Sequence, residues 1–214
     1  MYTFPYQFIG YCYTIMKQEF YSQLGGDAWV NALRHTTVQP IRCKDKIEEI
    51  KQLLKQQSLR DYFLFVMGIN CGLRISDMLQ LRVKDVAGKE HLHLREGKTD
   101  KYKRFRLNAA LQNEIAMYVA GMYYDDYLFP SRKGIHPITR IQAYRILSNA
   151  ANQVGVEEIG THTLRKTFGY HFYKQTKDVA MLQDIFNHSA PVITKRYIGI
   201  SQDEIDQAID EFSL

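Results

Sequence analysis

Six residues of this chain carry side chains that together could break and remake a phosphodiester: Arg74, Lys98, His162, Arg165, His188 and Tyr197. A tyrosine oxygen can attack phosphorus and stay attached, because the diester it forms is stable and later offers a good leaving group. The transition state loads negative charge onto the non-bridging oxygens. Two guanidinium groups suit that charge, since each donates parallel hydrogen bonds and neither loses its proton. Fixed donors aimed at developing charge are usually the largest catalytic contribution. The departing oxygen needs a proton, which a lysine delivers when neighbouring cations lower its pKa. Such chemistry calls for no metal and no ATP, because the bond energy is kept in the covalent adduct.

The local contexts are GLRISD around Arg74, EGKTDKYKR around Lys98, THTLRKTFGYHF around His162 and Arg165, and FNHSAPVITKRYIGI from His188 to Tyr197. Taken singly, each residue has an ordinary reading. Arg74 is one more arginine, Lys98 a solvated turn lysine, and His188 a cap at a helix end. His162 and Arg165 are helix-face neighbours, and Tyr197 is one of 15 tyrosines. Their strict order, with His188 and Tyr197 nine residues apart, is hard to meet by accident. Other chemistries find no support. The chain has no P-loop or kinase signature and no serine-triad pattern. His162, His171 and His188 lack thiol or histidine partners at zinc-ligand spacing. Cys12, Cys43 and Cys71 are scattered and odd in number, which fits neither a disulfide framework nor a zinc site and suits a reducing cytoplasm.

The elements that must position these residues read as helices around one small sheet. Lys44 to Gln57 has an amphipathic period with Ile47, Ile50, Leu53 and Leu54 on one face, and Asp61 to Asn70 is apolar almost throughout. Gly72 breaks that pattern, and Ser76 or Asp77 is expected to cap a short helix carrying Met78, Leu79 and Leu81. Two strand-like runs, His91 to Arg95 and Tyr102 to Leu107, flank a turn that holds Lys98. Asn108 is expected to cap a helix burying Leu111, Ile115, Val119 and Met122, and Thr139 one burying Ile141, Tyr144, Leu147, Ala151 and Val154. Thr161 or Thr163 begins the helix of Arg165, Asp178 caps the helix before His188, and Pro191 opens the segment reaching Tyr197. The spacing predicts a last amphipathic helix over Gln202 to Phe212. The fold class is therefore mainly α with a small antiparallel β-sheet.

On these motifs the chain resembles the tyrosine recombinases, also called the phage integrase family, from about Gln39 to the C-terminus. The resemblance implies the catalytic domain fold of that family and site-specific cleavage and rejoining of DNA strands, without a cofactor. It makes Tyr197 the nucleophile of a 3′-phosphotyrosyl bond, and Arg74 and Arg165 a clamp on the scissile phosphate. Lys98 becomes the donor to the leaving 5′ oxygen, His162 a proton acceptor or phosphate donor, and His188 a further hydrogen bond. Asp77, where the family commonly has glutamate, would orient its neighbours. Lys166 stands where the family often has a second histidine, and a cation there still suits phosphate. Members usually carry an N-terminal domain gripping the far side of the DNA. Residues 1–38 are too few for it and read as an extension or overlong start, ahead of a catalytic domain at 39–214. A DNA-binding regulator, or a prophage remnant that keeps the fold, is the alternative. A type IB topoisomerase shares the chemistry.

The net charge is +5, from 28 basic and 23 acidic residues, which is compatible with nucleic acid without proving it. Lys98, Lys101, Lys103, Arg104 and Arg106 crowd the hairpin, and Arg132, Lys133, Arg140 and Arg145 form a second patch leading into a helix. The expected DNA-contacting residues are Lys101, Lys103, Arg104, Arg106, Arg140, Arg145 and Lys166, with phosphate contacts and strong salt dependence. The tail is acidic at Asp203, Glu204, Asp206, Asp210 and Glu211, and residues 201–214 are expected to avoid DNA. Its apolar stripe needs a groove in this protomer or a neighbour. Family members swap such tails around a ring of four, so the resemblance implies a homotetramer on double-stranded DNA, a monomer off it, and room for an accessory protein. No stretch reads as a membrane span or signal peptide, and the expected location is the cytoplasm.

Overall fold

The computed structural model describes residues 38–97 and 101–200, together with residues 204, 207, 209, 210 and 212. The N-terminal extension, Lys98, and most of the tail helix expected over Gln202 to Phe212 lie outside the described residues. From Val38 onward the chain forms one compact unit.

Helices α1 (Lys44–Gln57) and α2 (Leu59–Cys71) pack against each other. Helix α1 buries Ile47, Ile50 and Leu54, the face its period predicts. Helix α2 buries six successive residues, Phe63 to Gly68, because α1 and two later helices surround it. Ser58 caps α2, its hydroxyl accepting from the Asp61 N–H at 3.4 Å. Short helices α3 (Ile75–Met78) and α4 (Val83–Val86) lead to strands β1 (His91–Arg95) and β2 (Tyr102–Arg106). These pair antiparallel, with His91 opposite Arg106 and Arg95 opposite Tyr102. Helices α5 (Ala109–Tyr118) and α6 (Arg140–Gln153) follow, then α7 (Thr163–Thr176), α8 (Val179–Phe186) and α9 (Pro191–Ile198).

Two apolar clusters result. The larger joins α1 to α6 and reaches Leu164 of α7; the smaller gathers Tyr173, Leu182, Phe186, Ile198 and Ile200, with Phe168 and Tyr197 at its border. Helix α7 runs from one cluster into the other.

One expected cap shifts, one helix ends earlier and one buried face differs in part, for local reasons. The cap of α3 is Arg74 itself, whose carbonyl accepts from the Asp77 and Met78 N–H groups, so Ser76 and Asp77 lie inside the helix. His162 is the residue before α7; Thr163 is its first residue and turns its hydroxyl back to accept from the Gly160 N–H at 2.9 Å. Helix α5 ends at Tyr118, with Val119 its cap and Met122 beyond it. Helix α6 begins at Thr139 as expected, with a reciprocal Thr139–Gln142 capping box. Its buried face is Ala143, Leu147, Ala150 and Ala151, whereas Ile141 and Tyr144 point outward. Leu147 and Ala151 of the expected stripe are buried, and Ala143 and Ala150 join them.

Candidate active site

Arg74 stands where α2 gives way to α3. Gly72 closes α2 in the left-handed region (φ 57°), and a Cβ there would lie 2.4 Å from the Phe168 ring. Both facts demand glycine. The abrupt stop turns Arg74 away from the core. Its Nη1 lies 2.7 Å from Glu96 Oε2 and 3.9 Å from Asp77 Oδ2. Nη1 and Asp77 Oδ2 are buried, and they are held by charge rather than by an aligned hydrogen bond. The other oxygen of Asp77 accepts from the Gly97 N–H at 3.2 Å. The Glu96 N–H donates to the Lys101 carbonyl at 2.9 Å, which closes the base of the turn that carries Lys98. The foot of that turn is therefore pinned beside Arg74, while Lys98 itself is not among the described residues.

Arg165, in the first turn of α7, is 3% exposed. Its Nη1 donates to the Gly72 carbonyl at 2.7 Å and its Nη2 to the Phe186 carbonyl at 2.8 Å. The Phe186 ring lies against its guanidinium carbon at 4.3 Å. Two of five N–H donors thus fix the plane of this group against the ends of α2 and α8.

Tyr197 sits in the last turn of α9, opened by Pro191 at the first helical position and closed by Gly199. Its hydroxyl is 3.1 Å from His162 Nδ1. Its ring meets His188, Phe186 and His162 edge-on, and Lys166 Nζ lies 5.1 Å over its face. Burial raises the phenol pKa, and the positive charges of Arg165 and Arg74 oppose that rise. The resting hydroxyl is protonated.

His188 follows Asn187, the left-handed residue that ends α8. Its Nδ1 is 3.0 Å from the hydroxyl of Thr194, which is fully buried in α9. Burial, then the charges of Arg165, Arg74 and Lys103, push its pKa down to about 4. The ring is neutral near pH 7. It can donate through Nε2–H when Thr194 donates to Nδ1.

The structure thus brings Arg74, Asp77, His162, Arg165, His188 and Tyr197 together. Of the basic residues read as DNA contacts, Lys101, Arg104, Arg106, Arg140 and Arg145 are exposed. Arg104 reaches the His91 ring at 3.1 Å, and Arg106 lies 3.5 Å from Glu90. Lys103 points inward: its Nζ donates to the Ile185 carbonyl and lies 3.5 Å from Glu96. Burial and the neighbouring Arg165 lower its pKa. Lys166 is also buried, its Nζ 2.6 Å from the Val38 carbonyl.

Glu96 and Thr194 went unnoticed in the motifs. Strand alternation was the available signal for Glu96, because Leu92, Leu94 and Glu96 share one parity. Thr194 sits three residues before Tyr197 with no distinguishing context. Among the described residues no group of His, Cys, Asp and Glu could hold a metal, and no helix is long and apolar enough to cross a membrane.

The phage integrase family model matches residues 43–204. The chain is 56% identical to the Bacillus subtilis (strain 168) protein named "Probable integrase/recombinase YoeC", over 82% of this chain and 97% of that one. It is 31% identical to a tyrosine recombinase of Pseudothermotoga lettingae, over 76% of this chain and 58% of that longer protein. Among solved structures, XerA recombinase superposes with a TM-score of 0.65 at 19% identity, over 79% of this chain and 64% of that one. XerH bound to a palindromic difH substrate gives 0.65 at 20% identity, over 82% of this chain and 53% of that one. Those likenesses speak to the fold, whereas the matched span and the 56% relative settle the lineage: the chain belongs to the phage integrase family, the tyrosine recombinases.

Proposed function

We propose that this protein cleaves and rejoins DNA at a specific site through a covalent 3′-phosphotyrosyl intermediate. The observation that carries the reading is the 3.1 Å contact between the Tyr197 hydroxyl and His162 Nδ1, set beside the buried Arg165 and the half-buried Arg74. A phenol whose pKa is raised by burial needs a base within reach, and His162 is that base. Tyr197 Oη attacks the phosphorus, and its proton passes to His162 Nδ1. The bond from phosphorus to the 5′ oxygen breaks, and Lys98 supplies the proton to that oxygen. Arg74 and Arg165 neutralise the charge on the non-bridging oxygens. His188 adds a neutral donor. Rejoining runs the same steps backward with a new 5′ hydroxyl.

The exposed faces suit a long polyanion. One side of the hairpin presents His91, His93, Arg95, Tyr102, Arg104 and Arg106, since these residues share one parity in the register. The outer face of α6 presents Arg140, Ile141, Tyr144 and Arg145. We read the first as a phosphate-tracking edge and the second as a groove-facing helix.

The test is a nicked duplex spanning the ends of the DNA element that carries the gene, so that the short cleaved strand diffuses away and traps the adduct. The expected result is a protein–DNA band that survives denaturant and is absent for Tyr197→Phe, which still binds the duplex. Specific binding without any adduct would instead favour a regulator that keeps the fold.

A further inference from the structure

The inner face of the hairpin holds two charged side chains that this reaction scheme leaves without a role. Glu96 is 2% exposed, lying 2.7 Å from Arg74 Nη1 and 3.5 Å from Lys103 Nζ. A carboxylate this deep is costly unless its charge is matched, and here two cations match it. Lys103 also donates to the Ile185 carbonyl. Three successive residues at the end of α8 then receive three cations. Lys103 takes the Ile185 carbonyl, Arg165 the Phe186 carbonyl, and Lys101 the Asn187 side-chain oxygen at 3.1 Å. Helix C-termini favour positive charge. What is unusual is that one of these cations comes from β2, one from the residue just before that strand and one from α7, so the end of α8 ties the hairpin to the arginine clamp.

We propose that Glu96 and Lys103 are a positioning pair for strand cleavage. Glu96 fixes the guanidinium of Arg74 from behind, and Lys103 locks that carboxylate, with the foot of the Lys98 turn, onto the end of α8 that leads into His188. The proposal rests on the strand-cleavage reading above and adds two residues to it. Lys103 acts through others. Its ammonium is directed at the Ile185 carbonyl and Glu96, and proton donation belongs to Lys98.

The experiment compares adduct formation on two nicked duplexes, one ordinary and one with sulfur replacing the departing 5′ oxygen. A thiolate leaves without a proton, so the sulfur duplex rescues a missing proton donor and nothing else. Lys103→Met and Glu96→Gln should each slow trapping on both duplexes by about 10- to 100-fold, with DNA affinity nearly unchanged. Lys103→Arg should recover part of the loss. The double variant should be no slower than the slower single, because the two residues act as a unit. Lys98→Ala should be rescued by sulfur. Glu96→Gln keeps the size of the side chain and carries the test should Lys103→Met fold poorly.

Wild-type rates in both single variants would overturn the proposal. Rescue of Lys103→Met by sulfur would overturn it too, by making Lys103 the proton donor. A loss explained wholly by weaker binding would reassign Lys103 to phosphate contact. No adduct from the wild-type protein would instead sink the cleavage reading itself, so the two failures are separable.

Discussion

His188 carries the clearest consequence of burial at the scale of one residue. Its folded pKa of about 4 lies below the ordinary value of 6.5, because burial and the charges of Arg165, Arg74 and Lys103 disfavour its protonated form. The unfolded chain therefore binds the proton first as pH falls. His188 contributes stability that is complete above pH 6.5 and is lost between about 6.5 and 4. Substituting Asn, which cannot take up this proton, removes that contribution. Urea titrations at pH 7 and pH 4.5 should show the His188→Asn variant losing less stability between the two than the parent does. An equal loss in both proteins would contradict the buried neutral imidazole. Tyr197, the two arginines and the two histidines, which the structure brings together, stand out in sequence because each sits in a distinctive local string. Thr194, which sets the hydrogen bond of His188, does not, since a buried threonine in a helix has no string of its own. Lys103 was read as one more basic residue of a charged hairpin, although its parity with Phe105 and Leu107 points it inward.

Elements matter here through how closely α7, α8 and α9 approach. Gly169 permits it: a Cβ at that position would lie 2.7 Å from the Phe186 ring and 2.7 Å from Ile198. Neither neighbour can yield freely. Phe186 is fully buried and its carbonyl holds Arg165, while Ile198 follows Tyr197 directly. Gly169→Ala should cost about 1–3 kcal/mol by overpacking, read as a lower urea midpoint. It should slow adduct formation at saturating DNA by more than the unfolded fraction explains. A variant of full activity and normal midpoint would show that the three helices can separate at no cost. Amphipathic period and cap residues announced α1, the hairpin, and the starts of α5, α6 and α8. They found Leu147 and Ala151 on the buried face of α6 but not Ala143 and Ala150, because Ile141 and Tyr144 are apolar by type yet face outward.

At the scale of the whole molecule the open question is what covers the tail. Glu204 accepts from the Tyr173 hydroxyl at 2.7 Å and pairs with Lys195 Nζ at 3.0 Å, so the tail starts anchored to α7 and α9 of its own chain. Both partners of the ion pair are about a third exposed or more, and such pairs contribute only about 0–1 kcal/mol. Farther on, Ile209 is 64% exposed and Phe212 is 68% exposed. These two side chains leave apolar surface for another chain. Among the described residues the second apolar cluster runs as far as Ile200, which is 1% exposed, so a chain cut after Ile200 keeps every described member of that cluster. That truncation should unfold within about 1 kcal/mol of the parent, given the weak tether. It should bind a single site with similar affinity, yet form fewer of the slower-migrating complexes that several copies build on paired sites in a native gel. If the truncated chain loses stability well beyond that margin and assembles normally, the tail packs on its own protomer, and assembly must be sought elsewhere on the surface.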